Sequence, residues 1–201
     1  MTQVKLTKNE LRDQQSRLFQ FQKYLPTLQL KKSMLQFEVA VAQMEILALE
    51  ESFSASKEKV VSFSFFLKEK VSCNLESYVA IQHVEKRYEN VAGVDIPIFE
   101  NVIFQKPHYA LFDTPAWTDQ AMVLLKEMIV LKEKLSIAKE KKHALDKELR
   151  DVSIRVNLFE KVLIPRSEQN ISKIRIFLGD QQLAAVAQAK VAKMKIQRAK
   201  K

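Results

Sequence analysis

The side chains able to do chemistry are few, and their spacing keeps them from acting together. His83, His108 and His143 include no pair at the four-residue helical spacing that aims two imidazoles at one metal, and the single Cys73 has no second thiolate to help hold zinc. As a nucleophile Cys73 would need a neighbouring base or a lowered pKa; near the end of a long helical pattern it reads instead as a half-buried structural thiol. Phosphate-binding loops need clustered glycines so that backbone N–H groups can approach the anion, and the chain has only Gly93 and Gly179, far apart. Glu127, Glu133, Glu140 and Glu148 alternate with Lys132, Lys134, Lys139, Lys141 and Lys147, the pattern of a solvated helix face with i,i+4 pairs rather than of paired catalytic acids. No catalytic residue, metal ligand or cofactor site is therefore expected. The charge is more informative: the net value is +9, and after Asp180 no acidic residue occurs, while Lys190, Lys193, Lys195, Arg198, Lys200 and Lys201 follow. Such a tip is either a solvated helix end favoured by the helix dipole or a surface for an acidic or polar partner.

The elements that carry these groups are read from periodicity. Two glycines and five prolines in 201 residues leave little material for loops and favour long helices. Stepping by alternating threes and fours from Met128 gives Leu131, Leu135, Ala138, Lys142, Leu145, Leu149, Val152, Val156, Phe159 and Leu163, apolar except for Lys142. A narrow seam at seven-residue repeats asks for a partner helix and a left-handed supercoil. The N-terminal third supplies it: Leu18, Phe21, Leu25, Leu28, Lys32, Leu35, Val39, Ala42, Ile46, Leu49, Phe53, Ser56, Val60, Phe63 and Leu67 repeat the spacing, with Lys32 and Ser56 as the exceptions. A helix from about Thr7 to Asn74 would run about 100 Å.

Between the seams the chemistry shifts to β-branched and aromatic residues around Ala92-Gly93, from Ser77 to Phe104, which predicts a small hairpin. Pro97, Pro107 and Pro115 exclude a helix continuing through, Asp113-Thr114-Pro115 is a start signal for the second helix, and Trp117 is expected to anchor that start. The fold class is mainly α: a long antiparallel two-helix coiled coil with a central β-hairpin insert. The divisions are 1-75 for the N-terminal helix, 76-116 for the insert and 117-201 for the C-terminal helix with its basic tip. Setting Asn74 level with about Thr118 brings Lys142 to Glu50 and Glu51, Lys32 to Glu160, and Pro26 to Pro165. The seam lysines are expected to snorkel to those carboxylates, Lys141 to point outward, and the C-terminal helix to overhang by about nine residues. Near Pro165 the seam spacing lengthens to an eleven-residue step, which predicts a bend or a straightened segment.

The single cysteine fits a reducing cytoplasm, and neither a signal peptide nor a run of about 18 uncharged apolar residues occurs, so direct membrane insertion is not expected.

Arg155-Val-Asn-Leu-Phe-Glu-Lys-Val-Leu-Ile-Pro-Arg166, followed by Glu168-Gln-Asn-Ile171 and Ile174, resembles a segment of the D subunit of the V-type and archaeal-type rotary ATPases. Asn9-Glu-Leu11, Leu25-Pro-Thr-Leu28 and Leu30-Lys-Lys32 resemble the first helix of that family, and Ala92-Gly-Val94 with Pro97-Ile-Phe99 its central insert. The resemblance covers nearly the whole chain and implies a central rotor shaft, a non-catalytic subunit of a hetero-oligomer at the cytoplasmic side of the membrane. It implies as partners the catalytic A and B subunits around the terminal end, the small F subunit gripping the shaft, and a further subunit linking to the membrane ring. Rotation would couple ATP synthesis or hydrolysis to proton or sodium transport. It carries Arg155, Asn157, Glu160, Pro165 and Arg166 over as shaft and subunit-contact positions; the periodicity, independently, gives the seam residues Leu25, Leu35, Ile46, Leu49, Leu131, Leu135, Leu145, Leu149, Val156 and Phe159. After the motif the chain departs from the charged segment usual in the family, reading Gly179-Asp-Gln-Gln-Leu-Ala-Ala-Val-Ala-Gln-Ala.

Two rivals belong to other classes. A basic coiled-coil module for nucleic acid would suit the tail, although the helices show no basic stripe interleaved with aromatics. A membrane-surface scaffold would need a free apolar face, and the seams already occupy theirs.

Overall fold

The computed structural model describes residues 4–63, 78–106, 115 and 117–199. The element order is helix α1 (Lys8–Phe63), strands β1 (Ile81–Val91) and β2 (Val94–Phe104), helix α2 (Thr118–Leu158), a π-helical turn (Phe159–Leu163) and helix α3 (Ile164–Ala199). The class is mainly α with long helices and a central antiparallel hairpin, as the change from a 3.5-residue period to β-branched and aromatic runs around Ala92-Gly93 anticipates. The expected end of the first helix toward Asn74, with Leu67 and Cys73, lies outside the described residues, as do Pro107, His108 and Asp113-Thr114. Two compact units divide the chain, one of Met1–Lys32 with Asp151–Lys201, the other of Ser33–Arg150.

In the terminal unit, α1 starts on a capping arrangement. The Thr7 hydroxyl oxygen accepts the Glu10 N–H at 3.3 Å, satisfying one otherwise orphaned donor, and the Thr7 carbonyl accepts the Leu11 N–H at 3.0 Å as the first bond of the helix. Leu18, Phe21, Leu25 and Leu28 are half-buried, and the side chains between them face solvent. Opposite them, Val152, Val156, Ile171 and Ile174 are buried. The Phe21 and Phe159 rings meet edge-on with centroids 5.4 Å apart. Farther toward the start of α1, Gln15 and Leu18 share a cleft with Glu168 and Ile171, so the two helical segments run antiparallel.

The predicted irregularity near Pro165 takes the form of the π-turn, closed by the Ile164 N–H bonding back to the Phe159 carbonyl. Proline alone does not explain it, because α1 passes through Pro26 as an α-helix. The seam around Pro26 keeps its alternating threes and fours, whereas Phe159, Leu163, Ser167 and Ile171 are separated by three successive fours. From Val152 to Ile174 the chain holds one residue more than three heptads. A π-turn absorbs a single extra residue locally, so both ends of the seam still face α1.

The register differs from the expected one. Phe159, not a residue beyond Pro165, meets Phe21, so Pro26 and Pro165 are separated along the pair by about two turns or more. Glu160 adjoins this contact and lies about three turns from the level of Lys32, so that predicted pair does not form. In the other unit the seam residue Lys142 donates to the Gln43 side-chain carbonyl at 2.6 Å rather than to Glu50 or Glu51. Glu50 pairs with Lys139 at 2.8 Å. In this unit the offset is close to one heptad, and the reason is physical: a seven-residue slip keeps every apolar residue in the seam, so hydrophobic periodicity cannot distinguish the two alignments.

In that unit Leu35, Ala42 and Ile46 on α1 and Ala138 and Leu145 on α2 are buried. Lys141 is not outward; its ammonium bonds Glu45 at 2.9 Å and its side chain is only 17% exposed. The hairpin turns through Ala92 (φ 51°) and Gly93 (φ 83°), the two positive values of a type I′ turn. The Asn90 side-chain oxygen accepts the Gly93 N–H at 3.1 Å, and the Asn90 amide donates to Asp95 at 2.7 Å. Pro97 sits opposite Tyr88 in a two-stranded sheet, where the missing donor leaves no inner ladder broken. The hairpin lies on α2: Lys134 stands 5.2 Å over the Phe99 ring, Lys126 5.5 Å over the Phe104 ring, and Lys86 pairs with Glu140 at 2.8 Å.

Candidate functional site

Of the nine charged side chains of α2 expected as a solvated stripe of i,i+4 pairs, Lys134, Lys139, Glu140 and Lys141 instead reach other elements. Lys139 and Lys141 bind α1, while Lys134 and Glu140 bind the hairpin. Lysine can keep its stem against apolar surface while its head finds a partner, and the half-buried Lys134 and Lys141 belong to a second buried face of α2 that hydropathy alone does not reveal. Ile137, 3% exposed beside the seam residue Ala138, marks that face, and Ala121, Met122 and Thr118 are buried near its start. The Glu140 carboxylate accepting the Lys86 ammonium holds that lysine above its ordinary pKa, against the smaller opposing effect of burial. At the start of α2 the Pro115 carbonyl accepts the Thr118 N–H and the half-buried Trp117 carbonyl accepts the Ala121 N–H.

The seam candidates fall into two groups by unit. In the inner unit Leu35, Ile46 and Leu145 are buried and Leu49, Leu131, Leu135 and Leu149 are half-buried. In the terminal unit Val156 is buried, and Leu25 and Phe159 are half-buried. The motif residues behave differently. Arg155, Asn157, Glu160 and Arg166 are exposed and Pro165 is half-buried, so the polar members of the motif point to solvent around a buried apolar stripe. They do not converge on one point: Arg166 lines a cleft with Gln14 and Arg17 near the start of α1, and the other three do not line it.

Beyond that cleft α3 stands alone. Every described side chain from Asp180 to Arg198 is exposed, a longer overhang than the nine residues expected, as a one-heptad slip requires. Leu183 (71% exposed), Val186, Met194 and Ile196 share this stretch with Lys190, Lys193, Lys195 and Arg198. Gly179 remains helical, and a methyl group there would meet nothing within 4 Å. On α1, Met34, Phe37, Val41 and Met44 form a further exposed apolar stripe spaced by threes and fours. Among the described residues no group of three or more His, Cys, Asp or Glu side chains could hold a metal ion, and no helix is long and apolar enough to cross a membrane.

Antiparallel helix pairing within each unit, a hairpin docked on one helix and an exposed basic helical end define a coiled-coil protein whose outer faces are its available binding surfaces. The chain belongs to the family described as the D subunit of ATP synthase, whose model matches residues 10–194. It is 41% identical over 201 residues to the V-type ATP synthase D subunit of Chlamydia felis, covering 99% of this chain and 96% of that protein. It is likewise 41% identical over 200 residues to the V-type ATP synthase D subunit of Borreliella burgdorferi, covering 96% of this chain and 95% of the relative. As a subunit of a multi-subunit V-type ATP synthase it is part of a hetero-oligomer.

Proposed function

We propose that the chain is the central-stalk rotor shaft of its complex, a subunit without an active site of its own. The division expected from sequence serves that role: residues 1-75 and 117-201 form the shaft, and residues 76-116 form an insert on its flank. The observation that carries the reading is the single helical end from Asp180 to Arg198, where a basic, partly apolar surface stands clear of the rest of its unit. A helix exposing that much apolar surface requires a surrounding partner. The A and B subunits are assigned to that end, the F subunit to the helix pair, and a linking subunit to the opposite end toward the membrane ring. The protein then works at the cytoplasmic face without entering the membrane. Its helical rigidity transmits rotation, and the differing faces it turns toward each catalytic site set whether that site binds, reacts or releases. In this way ATP turnover is coupled to proton or sodium movement.

The test is co-expression with the A, B and F subunits, followed by size-exclusion chromatography and ATPase assay with and without this chain. Co-elution with altered turnover is expected. A chain that elutes alone and leaves turnover unchanged would overturn the reading, and steeply salt-dependent binding to nucleic acid would replace it with the rival class.

A further inference from the structure

We propose that the cleft between the start of α1 and the first turns of α3 is a carboxylate clamp, in which Lys5, Arg17 and Arg166 receive acidic side chains from the partner polypeptide enclosing this unit. The inference rests on the shaft reading above and adds the chemistry of one contact. The cleft has a volume of about 440 Å³, and the apolar side chains of Phe21 and Leu163 share its lining. Three cations line it against one carboxylate, that of Glu10. The Glu10 carboxylate is already engaged, accepting a 2.9 Å hydrogen bond from the amide of Gln14, itself 7% exposed. Among the described residues no acidic side chain pairs with Lys5, Arg17 or Arg166.

No ion pair among the described residues therefore ties up these three cations, and the single carboxylate of Glu10 leaves an excess of positive charge in the cleft, although acidic side chains elsewhere pair with Lys86, Lys139 and Lys141. Guanidinium groups present planar pairs of N–H donors that match a carboxylate, and apolar neighbours such as Phe21 and Leu163 strengthen such a pair by limiting the water around it. The basic stretch of α3 lacks this geometry: its lysines are exposed along a lone helix and can attract a partner without fixing its position. The cleft supplies position as well as charge. An acidic loop of the surrounding subunits, bearing one or two carboxylates, is the occupant that complements it.

The experiment compares two double variants that remove the same net charge from the same unit. Arg17→Gln with Arg166→Gln removes both guanidinium groups of the clamp and leaves Lys5, while Lys23→Gln with Lys173→Gln removes exposed cations that do not line the cleft. Affinity for the reconstituted hexamer of A and B subunits is measured at about 0.1 M and about 1 M salt, between which the Debye length falls from about 10 to about 3 Å. The clamp predicts a loss of about tenfold for the arginine variant at low salt, less than about twofold for the lysine variant, and convergence of all three proteins at high salt. Equal losses for both variants would reduce the effect to net charge and overturn the clamp. An undiminished arginine variant beside a binding wild type would overturn it alone, whereas a wild type that fails to bind the hexamer would overturn the shaft reading with it. Far-UV circular dichroism confirms that both variants keep their helices.

Discussion

Deleting a residue from the π-turn tests whether that turn exists to absorb one extra residue. Lys161 is exposed within Phe159–Leu163. Without it, Val152 to Ile174 would span three heptads, the turn could close as ordinary α-helix, and Ser167, Ile171 and Ile174 would still face α1. The expected cost is below about 1 kcal/mol, because no buried side chain leaves the seam. Deleting the exposed Lys23 from α1, which has no such turn, would rotate everything before it by about 100°. Gln14, Leu18 and Phe21 would then leave the interface, and the edge-on contact of Phe21 with Phe159 would be lost. Two half-buried apolar side chains contribute about 1.5–3 kcal/mol together, and the ring pair about 1 kcal/mol more. A loss of about 2.5–4 kcal/mol corresponds to roughly 5–16 °C in Tm for a chain of this size, against at most roughly 4 °C for the Lys161 deletion. Urea and thermal denaturation followed by far-UV circular dichroism measure both. Comparable losses for the two deletions would refute the reasoning, since the π-turn would then not be the place where the extra residue is accommodated.

Leu145 is fully buried, so Leu145→Ala should cost about 2–5 kcal/mol and Leu145→Asp more, with dissociation of the helix pair read as lost cooperativity in urea melts. Ala92 holds a left-handed conformation that costs a residue with a Cβ about 1–2 kcal/mol, and Ala92→Asn should recover part of that, seen as slower amide exchange across β1 and β2. A decrease in protection would show that the methyl group has a packing role. Because Glu140 raises the Lys86 pKa, the stabilisation from that pair is fully present below the ordinary lysine range and is lost as pH rises through the raised value. A Lys86→Met variant should therefore narrow its stability gap to wild type only at strongly alkaline pH; a gap closing near neutrality would point to another group.

The helix pairing was legible in sequence because burial repeats with the seam. Leu35, Ala42, Ile46, Leu145 and Val152 all occupy predicted seam positions and are no more than 5% exposed. The hairpin was legible because its Ala92-Gly93 turn separates two β-branched runs, and the chain's family likeness was carried by the Arg155–Arg166 segment. The second buried face of α2 was not legible, because Lys126, Lys134 and Lys141 read as polar in the sequence yet are half-buried in the structure. Nor was the cationic cleft, whose Arg17 and Arg166 lie on different helices and come together only at one alignment of the pair.

By itself the sequence determined the elements, their class and the apolar stripe each helix must bury, because these depend on local propensity and on a period shorter than two turns. Only the tertiary structure decided the alignment. A heptad slip leaves the seam unchanged, so the choice fell to contacts that lack the seven-residue repeat: Phe21 on Phe159, Lys142 on Gln43, Lys139 on Glu50 and the hairpin seated on α2. That choice sets the length of the exposed basic end and which arginines share a cleft.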